Sequence, residues 1–429
     1  MEIRYILSVL SVAIFVIYFF KSKCSRQSYL LFVLYFSPFI DLTVTNVSLG
    51  SFTVFDAVSY FALLFTIPDF GLSRRRTKTY FILFFMLLLI VFIGSIQSEF
   101  VKNSLIEIVK FIPIFIYANL LVTEYFENPL FIPSFIRGLK FGCIAAVAFL
   151  IVQLVIGSKF TFYPYLNQNI LDSNVIRYPS YFQDPQMFSQ FMAMSAFLFL
   201  VKVSDEPKKQ NLNYAFFVVI IFMIFLSGGR SGFLGLCVGM FVVVIAGRNK
   251  FRFYIIAACV AIYLAVIFFP AYFSMFNRQE GYDEAIIVRQ KIWAEVLTTF
   301  IHNPLLGIGM GNYGSYVELH SLDGYYVIDG EMVYYGTENG YLKILVETGI
   351  LGFVAAFAFI FIPVIKAIVS HFKKINNQNV YYIIGAVLSW MTAFSTLYTL
   401  SDKRTVVLLT SLICILIASS KRIEGIHEQ

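Results

Sequence analysis

Uncharged runs long enough to cross a lipid bilayer recur along this chain. The stretches 79–97, 253–270 and 379–399 contain no Asp, Glu, Lys or Arg. In hydrocarbon a backbone has no water to bond, so such runs fold as helices that satisfy their own N–H and C=O groups. About 20 apolar residues span the bilayer core. Thirteen segments fit: 3–20, 28–47, 53–68, 79–97, 103–123, 134–157, 185–201, 212–227, 231–247, 253–270, 339–366, 379–399 and 404–420. Composition agrees, because charged residues are only 13% of the 429, whereas a soluble domain carries about 25%. The expected fold is an all-α polytopic integral membrane protein of about 13 (12–14) transmembrane helices. The first run lacks a strongly basic start and a small-residue cleavage site, so it reads as a span and not as a removed signal peptide.

The short loops alternate in Lys and Arg. Basic loops occur at Lys21/Lys23/Arg26, Arg74/Arg75/Arg76/Lys78, Arg137/Lys140, Lys202/Lys208/Lys209, Arg248/Lys250/Arg252, Lys373/Lys374 and Lys421/Arg422. All fall on one side of this span order, which the positive-inside rule makes cytoplasmic. The N-terminus is then external and the C-terminus cytoplasmic. The expected organisation is a helix bundle of about ten spans over 1–270, a large external loop with a short helix over 271–338, and about three spans with a cytoplasmic tail over 339–429. A second external loop covers 158–184. The loop 271–338 holds three basic and nine acidic residues, net −6, in a chain whose net charge is +7. A loop of that length in an otherwise economical chain is usually functional.

Several classes are excluded at once. The cytoplasmic loops are too short for a nucleotide-binding fold, which removes ATP-driven transport by this chain alone, kinase activity and use of a sugar nucleotide on a Rossmann-type domain; no nucleic-acid partner is expected. The five cysteines, Cys24, Cys143, Cys237, Cys259 and Cys414, form no Cys-x-x-Cys pair and read as packing residues. The four histidines show no metal-ligand spacing. Neither a metal nor a cofactor is called for.

The local signals concentrate in 289–352. They are Arg289-Gln-Lys-Ile-Trp293, then Asn303-Pro-Leu-Leu-Gly-Ile-Gly-Met-Gly-Asn312, then Glu338-Asn-Gly-Tyr-Leu-Lys-Ile-Leu-Val-Glu-Thr-Gly-Ile-Leu-Gly352. Upstream lie Ser227-Gly-Gly-Arg-Ser231 and Arg177-Tyr-Pro-Ser-Tyr-Phe-Gln-Asp-Pro185. In this order the blocks resemble the O-antigen polymerase and O-antigen ligase family, the Wzy-type polymerases and their ligase relatives. The resemblance covers roughly 177–352. It implies a GT-C-like helical fold, metal-independent glycosyl transfer, and an undecaprenyl-diphosphate-linked glycan as donor in a bacterial inner membrane. It also implies a lipid-linked acceptor and a chain-length regulator protein as partner.

The residues can be weighed against that chemistry. A departing lipid diphosphate gathers negative charge, which arginine meets with a planar, bidentate donor set. Arg230 at a tight external turn, Arg289 on the loop helix and Arg177 before a span are the candidates. Each also has a plain reading, as a turn, surface or interfacial arginine. Lys291 follows Arg289 on another face and is a substrate-binding candidate. The acceptor hydroxyl needs a base. Ligase relatives carry a histidine before the asparagine of the re-entering helix; here Glu338 takes that place, followed by Asn339 as a substrate contact. A helix N-terminus favours an anion, but a cap uses the same residue types. His320 is a weaker candidate, set against a solvated loop histidine. The missing histidine tilts the reading toward polymerase over ligase.

Other features have structural readings. Asp184 before Pro185 reads as a helix cap. Lys343 reads as an ion partner of Glu338. Glu107 and Lys110 read either as an internal pair or as a lining of a headgroup cavity. Gly307, Gly309 and Gly311 read as a tight turn rather than a phosphate cradle. The alternatives in function are an O-antigen ligase-type transferase, a flippase for lipid-linked oligosaccharide, and a non-catalytic scaffold. No internal duplication of the transporter kind is visible.

Overall fold

A computed structural model describes residues 2–47, 50–67, 78–163, 177–202, 207–246, 282–320, 325–328, 331–334, 336–372 and 378–427. In chain order these form α1 (Glu2–Lys21), α2 (Arg26–Tyr35), β1 (Thr43–Val47), β2 (Gly50–Thr53), α3 (Val54–Thr66), α4 (Lys78–Ile96) and α5 (Val101–Glu127). Next come α6 (Phe131–Ile156), α7 (Pro185–Leu200), α8 (Pro207–Ser227), α9 (Arg230–Ala246), α10 (Tyr282–His302) and α11 (Tyr313–Leu319). The hairpin β3 (Tyr325–Ile328) and β4 (Glu331–Tyr334) precedes α12 (Gly340–Phe372), α13 (Gln378–Phe394) and α14 (Lys403–His427). The expected span 253–270 lies outside the described residues, as do Cys259, the basic clusters Arg74/Arg75/Arg76, Arg248/Lys250/Arg252 and Lys373/Lys374, and Arg278, Glu280, Asp323, Asp329 and Tyr335 of the large loop.

Among the described residues six helices are long and apolar enough to cross a membrane: Arg4–Lys21, Lys78–Ile96, Val101–Glu127, Phe131–Ile156, Lys208–Ser227 and Gly340–Val369. Val54–Thr66, Arg230–Ile245 and Asn379–Phe394 are apolar but shorter. The chain is mostly helical, and among the described residues four strands make two small antiparallel hairpins.

The expected span 28–47 is not one helix. It divides into α2, of 10 residues, a run of turns, and strand β1. The local sequence accounts for this. Pro38 lacks an N–H and disfavours helix at Ser37 before it. Thr43, Val44 and Thr45 are β-branched; Thr43 and Thr45 pair with Thr53 and Phe52 of β2, with a bulge at Val44. At about 1.5 Å per residue, α2 is about 15 Å long, half the thickness of a bilayer core. Helix α3, of 13 residues, is also short.

The chain divides into two compact units. The first comprises 1–131, 284–366 and 395–418; the second comprises 132–283, 367–394 and 419–429. In the second unit α9 lies almost in backbone contact with α13. A Cβ on Gly235 would stand 2.3 Å from Ser389 O, and one on Gly239 would stand 2.4 Å from Gly385 O. Small residues permit this approach, which yields dispersion contact where the lipid offers no hydrophobic drive. Gln190 on α7 donates to Ala393 O at 3.0 Å.

The first unit is pinned by a buried ionic network. Arg404, fully buried, donates from Nη2 to Asp41 Oδ2 at 3.0 Å and from Nε to Asp402 Oδ2 at 2.9 Å. Lys403 pairs with Asp56 at 2.9 Å and also donates to Lys110 O at 3.2 Å. Asp56 closes the capping box of α3 with Thr53, and Asp402 Oδ1 accepts from Thr405 N at the start of α14. The turn after α2, the start of α3, the middle of α5 and the start of α14 are therefore tied together by charge.

Removing one member of such a network strands the others. Arg404→Met should cost about 3–5 kcal/mol. Thermal unfolding of the purified protein in detergent should show a lower Tm and a loss of monodisperse protein. A variant that melts with the wild type would show the network to be dispensable.

Candidate active site

In the first unit, Arg289, Ile292, Trp293 and Val296 occupy one stripe of α10, at the i, i+3, i+4, i+7 spacing of a packed helix face. Ile292 and Val296 are buried with Ile308, Tyr313, Val317 and Val346. That apolar cluster sets the helix down on the 304–313 turn and on α12. The two polar members of the stripe then reach one short segment before α12. Trp293 Nε1 donates to Thr337 O at 3.3 Å, and Arg289 Nε donates to Glu338 Oε2. The Arg-x-x-x-Trp spacing places both side chains one helical turn apart, so both grip the Thr337–Glu338 turn.

Glu338 has φ 47°, in the left-handed region that a glutamate adopts only at a cost of order 1–3 kcal/mol. It does not cap α12. Asn339 does, accepting from Tyr341 N at 3.0 Å and Leu342 N at 3.2 Å through Oδ1. The capping role weighed for Glu338 thus belongs to its neighbour, and Asn339 spends its oxygen on the backbone. The expected Lys343–Glu338 pair is not formed either. Lys343 turns along its own helix to Glu347 at 2.9 Å, while Glu338 is held by Arg289. Both side chains of the Arg289–Glu338 pair stay partly open, at 40% and 31% exposure. Among the described residues no other group takes the remaining donors of Arg289.

The glycine-rich turn has a definite task. Helix α12 is interrupted at Gly349, with φ 63° and ψ −175°, a conformation essentially confined to glycine. The break frees the groups that an unbroken helix would join, Val346 O with Ile350 N and Glu347 O with Leu351 N. The 304–309 turn replaces both bonds. Ile350 N donates to Pro304 O at 2.9 Å and Leu351 N to Leu305 O at 3.3 Å. In return Ile308 N donates to Val346 O at 3.0 Å and Gly309 N to Glu347 O at 3.0 Å. Broken helices in membrane proteins persist where the freed groups are satisfied in this way. The approach needs glycine on both sides. A Cβ on Gly307 would stand 2.5 Å from Val346 O, and one on Gly349 would stand 2.3 Å from Leu305 O. The reading of these glycines as a turn holds, and its partner is the interrupted helix.

In the second unit, Arg177 and Arg230 are electrostatic neighbours. Burial pulls the Arg177 guanidinium below its ordinary pKa; Asp184 opposes this and Arg230 adds to it. Arg177 Nε donates to Ser227 O at 3.3 Å, beside the turn that leads to Arg230 at the start of α9. Arg230 is exposed. Asp184 caps α7 through Gln186 N, with Pro185 following, as its sequence position implies. Arg177 thus has one carboxylate, Asp184, and one guanidinium, Arg230, in its electrostatic surroundings.

The remaining candidates stand apart. Lys291 is exposed, off the Arg289 stripe. His320 lies at the end of α11, 3.2 Å from Glu99, with its ring tilted against that of Tyr316 at 4.2 Å between centroids. No contact among the described residues joins it to Arg289 or Glu338. Glu107 and Lys110 do form the internal pair, at 2.7 Å.

Residues 215–357, about a third of the chain, match the family model described as O-antigen ligase. Arg230, Arg289, Trp293, Glu338 and both halves of the interlocked turn fall within this segment. Members of that family are glycosyltransferase-like enzymes acting on lipid-linked glycans. No curated protein matches the chain.

Gly349→Ala should cost of order 1–3 kcal/mol from backbone strain alone, with the clash against Leu305 in addition. Gly314 has open space around it, so Gly314→Ala is the matched control. Yield of monodisperse protein and Tm should fall for the first and hold for the second. Equal behaviour would contradict the interlock.

Proposed function

We propose that this chain is a polysaccharide polymerase that moves a growing glycan from undecaprenyl diphosphate to a sugar hydroxyl of a lipid-linked repeat unit. The observation that carries the reading is the Arg289–Glu338 pair, held at a strained turn by Trp293 and left partly open. Strain kept at one polar residue by surrounding packing is a mark of functional positions.

In this mechanism the acceptor oxygen forms a bond to the anomeric carbon while the bond from that carbon to the diphosphate oxygen breaks. The hydroxyl proton passes to the Glu338 carboxylate. The electron pair leaves with the lipid diphosphate, whose charge meets the Nη groups of Arg289. Arg289 Nε meanwhile orients Glu338. Arg177 and Arg230 offer a second guanidinium pair to a phosphate-bearing ligand. With no covalent intermediate, the single displacement inverts the anomeric centre.

The accompanying membrane arrangement is GT-C-like, with about 13 spans, 271–338 external and the C-terminus on the cytoplasmic side of a bacterial inner membrane. Whether α2 and α3 cross fully or re-enter, the pair returns the chain to the face it left, so the later orientation is the same. Partners are the lipid-linked donor and acceptor and a chain-length regulator. The description of the matching family as O-antigen ligase favours a second reading, transfer of finished glycan to another lipid or protein.

One gel separates the two. Cells whose only copy carries Arg289→Ala, at matched membrane levels, should show lipid-linked glycan reduced to a single repeat unit. The rate should fall about 10²–10³-fold, as for loss of one oxyanion donor. Arg289→Lys should be nearly as impaired, since a lysine lacks the planar fork. Full-length polymer stranded on its lipid would make the chain a ligase. An unchanged ladder would remove Arg289 from the reaction. Retention of the donor's anomeric configuration in the product would rule out the single displacement.

A further inference from the structure

The first unit holds a second polar cluster that the Arg289–Glu338 chemistry does not use. Glu107 and Lys110 come from α5, Lys343 and Glu347 from α12, and Tyr398 from the segment before α14. Lys110 meets Glu107 at 2.7 Å and Lys343 meets Glu347 at 2.9 Å. The Lys343 ammonium lies 5.1 Å from the centre of the Tyr398 ring. Glu347 also accepts from Tyr313 N at 3.3 Å. Glu107 lies against Gly311, where a Cβ would stand 2.5 Å from its Cγ. Next to Gly311, Asn312 is fully buried. It donates from Nδ2 to Ile308 O at 3.0 Å, and its Oδ1 has no hydrogen-bond partner. Ser104 Oγ, buried one turn from Glu107 on α5, also lacks one.

The chemistry of this cluster is specific in a negative sense. Each lysine is matched by a glutamate, so the four charges sum to zero. A diphosphate would meet two carboxylates, and a cation would meet two ammoniums. A neutral polyhydroxylated ligand meets neither penalty. It finds spare N–H donors on both lysines, spare lone pairs on both glutamates, an aromatic ring, and an unsatisfied amide oxygen. Buried polar atoms without partners are uncommon and mark where water or a ligand is bound.

We propose that Glu107, Lys110, Lys343, Glu347 and Tyr398 form the binding site for the non-reducing sugar end of the acceptor glycan. The assignment rests on the transferase reading above and deepens it. The donor's reacting sugar carries the diphosphate and needs unpaired cations. The acceptor attacks through the end remote from its own diphosphate, so a neutral basin suits it. Lys343 sits in the first turn of α12, which begins two residues after Glu338, so the cluster adjoins in the chain the turn that holds Glu338. Glu107, Lys110 and Tyr398 fall outside the matched segment 215–357, whereas Arg289 and Glu338 fall within it. Lys343 and Glu347 fall within it as well, so the acceptor site joins a matched helix to residues that the match does not cover.

The test uses full-length protein in lipid nanodiscs. The probe is the repeat-unit oligosaccharide of the host cell, released from its lipid by mild acid. Titration calorimetry should show binding to wild type and to Arg289→Ala. Binding should weaken about tenfold in Glu107→Gln and in Tyr398→Phe, the loss expected for one hydrogen bond involving a charged group. Glu107 is 36% exposed, so its variant should fold, and Tyr398→Phe keeps the ring. A matching Tm with wild type is required of each. Unweakened binding in both folded variants, or no binding to wild type, overturns the assignment. Loss of binding only in Arg289→Ala also overturns it, by moving the sugar to the other pair. Failure of the transferase reading shows separately, as undiminished polymer in Arg289→Ala cells.

Discussion

Two backbone hydrogen bonds that an unbroken helix would make are exchanged here for four made to another segment. This exchange at Gly349 is the constraint on which the candidate site depends. In a membrane environment a freed carbonyl has no water to turn to. Val346 and Glu347 can lose their helical partners only because Ile308 and Gly309 supply new ones. The turn thereby fixes where α12 begins, and the buried cluster of Ile292, Val296, Ile308 and Val346 fixes α10 against it. Arg289 and Trp293 then reach Thr337 and Glu338 because their stripe on α10 leaves them no other segment to face. A strained glutamate is held by a chain of contacts that starts with two glycines.

Charge acts differently in the two kinds of site. Arg404, Lys403 and their three aspartates are buried and paired with one another, and they join elements far apart in sequence. Their role is to define which helices meet. The Arg289–Glu338 pair is partly open, and Arg289 retains donors for a ligand. The Glu107–Lys110 and Lys343–Glu347 pairs are intermediate, compensated but not sealed. Degree of exposure, more than residue type, separates scaffold from chemistry.

Periodicity and motif spacing carried much of this. The apolar runs marked most of the helices, and Arg289 with Trp293 and the Pro304–Gly309 turn stood out through their order in the family resemblance. Asp184 before Pro185 told its own role. What failed was pairing over distance. Lys343 at i+5 from Glu338 looked like a local partner, yet Glu347 at i+4 on the same helix took it, and Glu338 went to a residue 49 positions away. Asn339 and Glu338 exchanged expected roles because either could cap, and only backbone angles decide. The run 28–47 reads as a span by hydropathy, which averages over Pro38 and Asp41. The tie of Asp41 to Arg404, 363 residues on, is invisible to any window.

The interlock also closes a circle in the chain. Residues 304–309 and 346–351 are tied to each other, and α10 and Glu338 are fastened to the same frame. The β3–β4 hairpin lies in the chain between these fixed posts. The entropy of closing such a loop grows only as the logarithm of its length, so added residues there cost little and displace nothing. Additional residues between these posts would thus leave the Arg289–Glu338 pair in place.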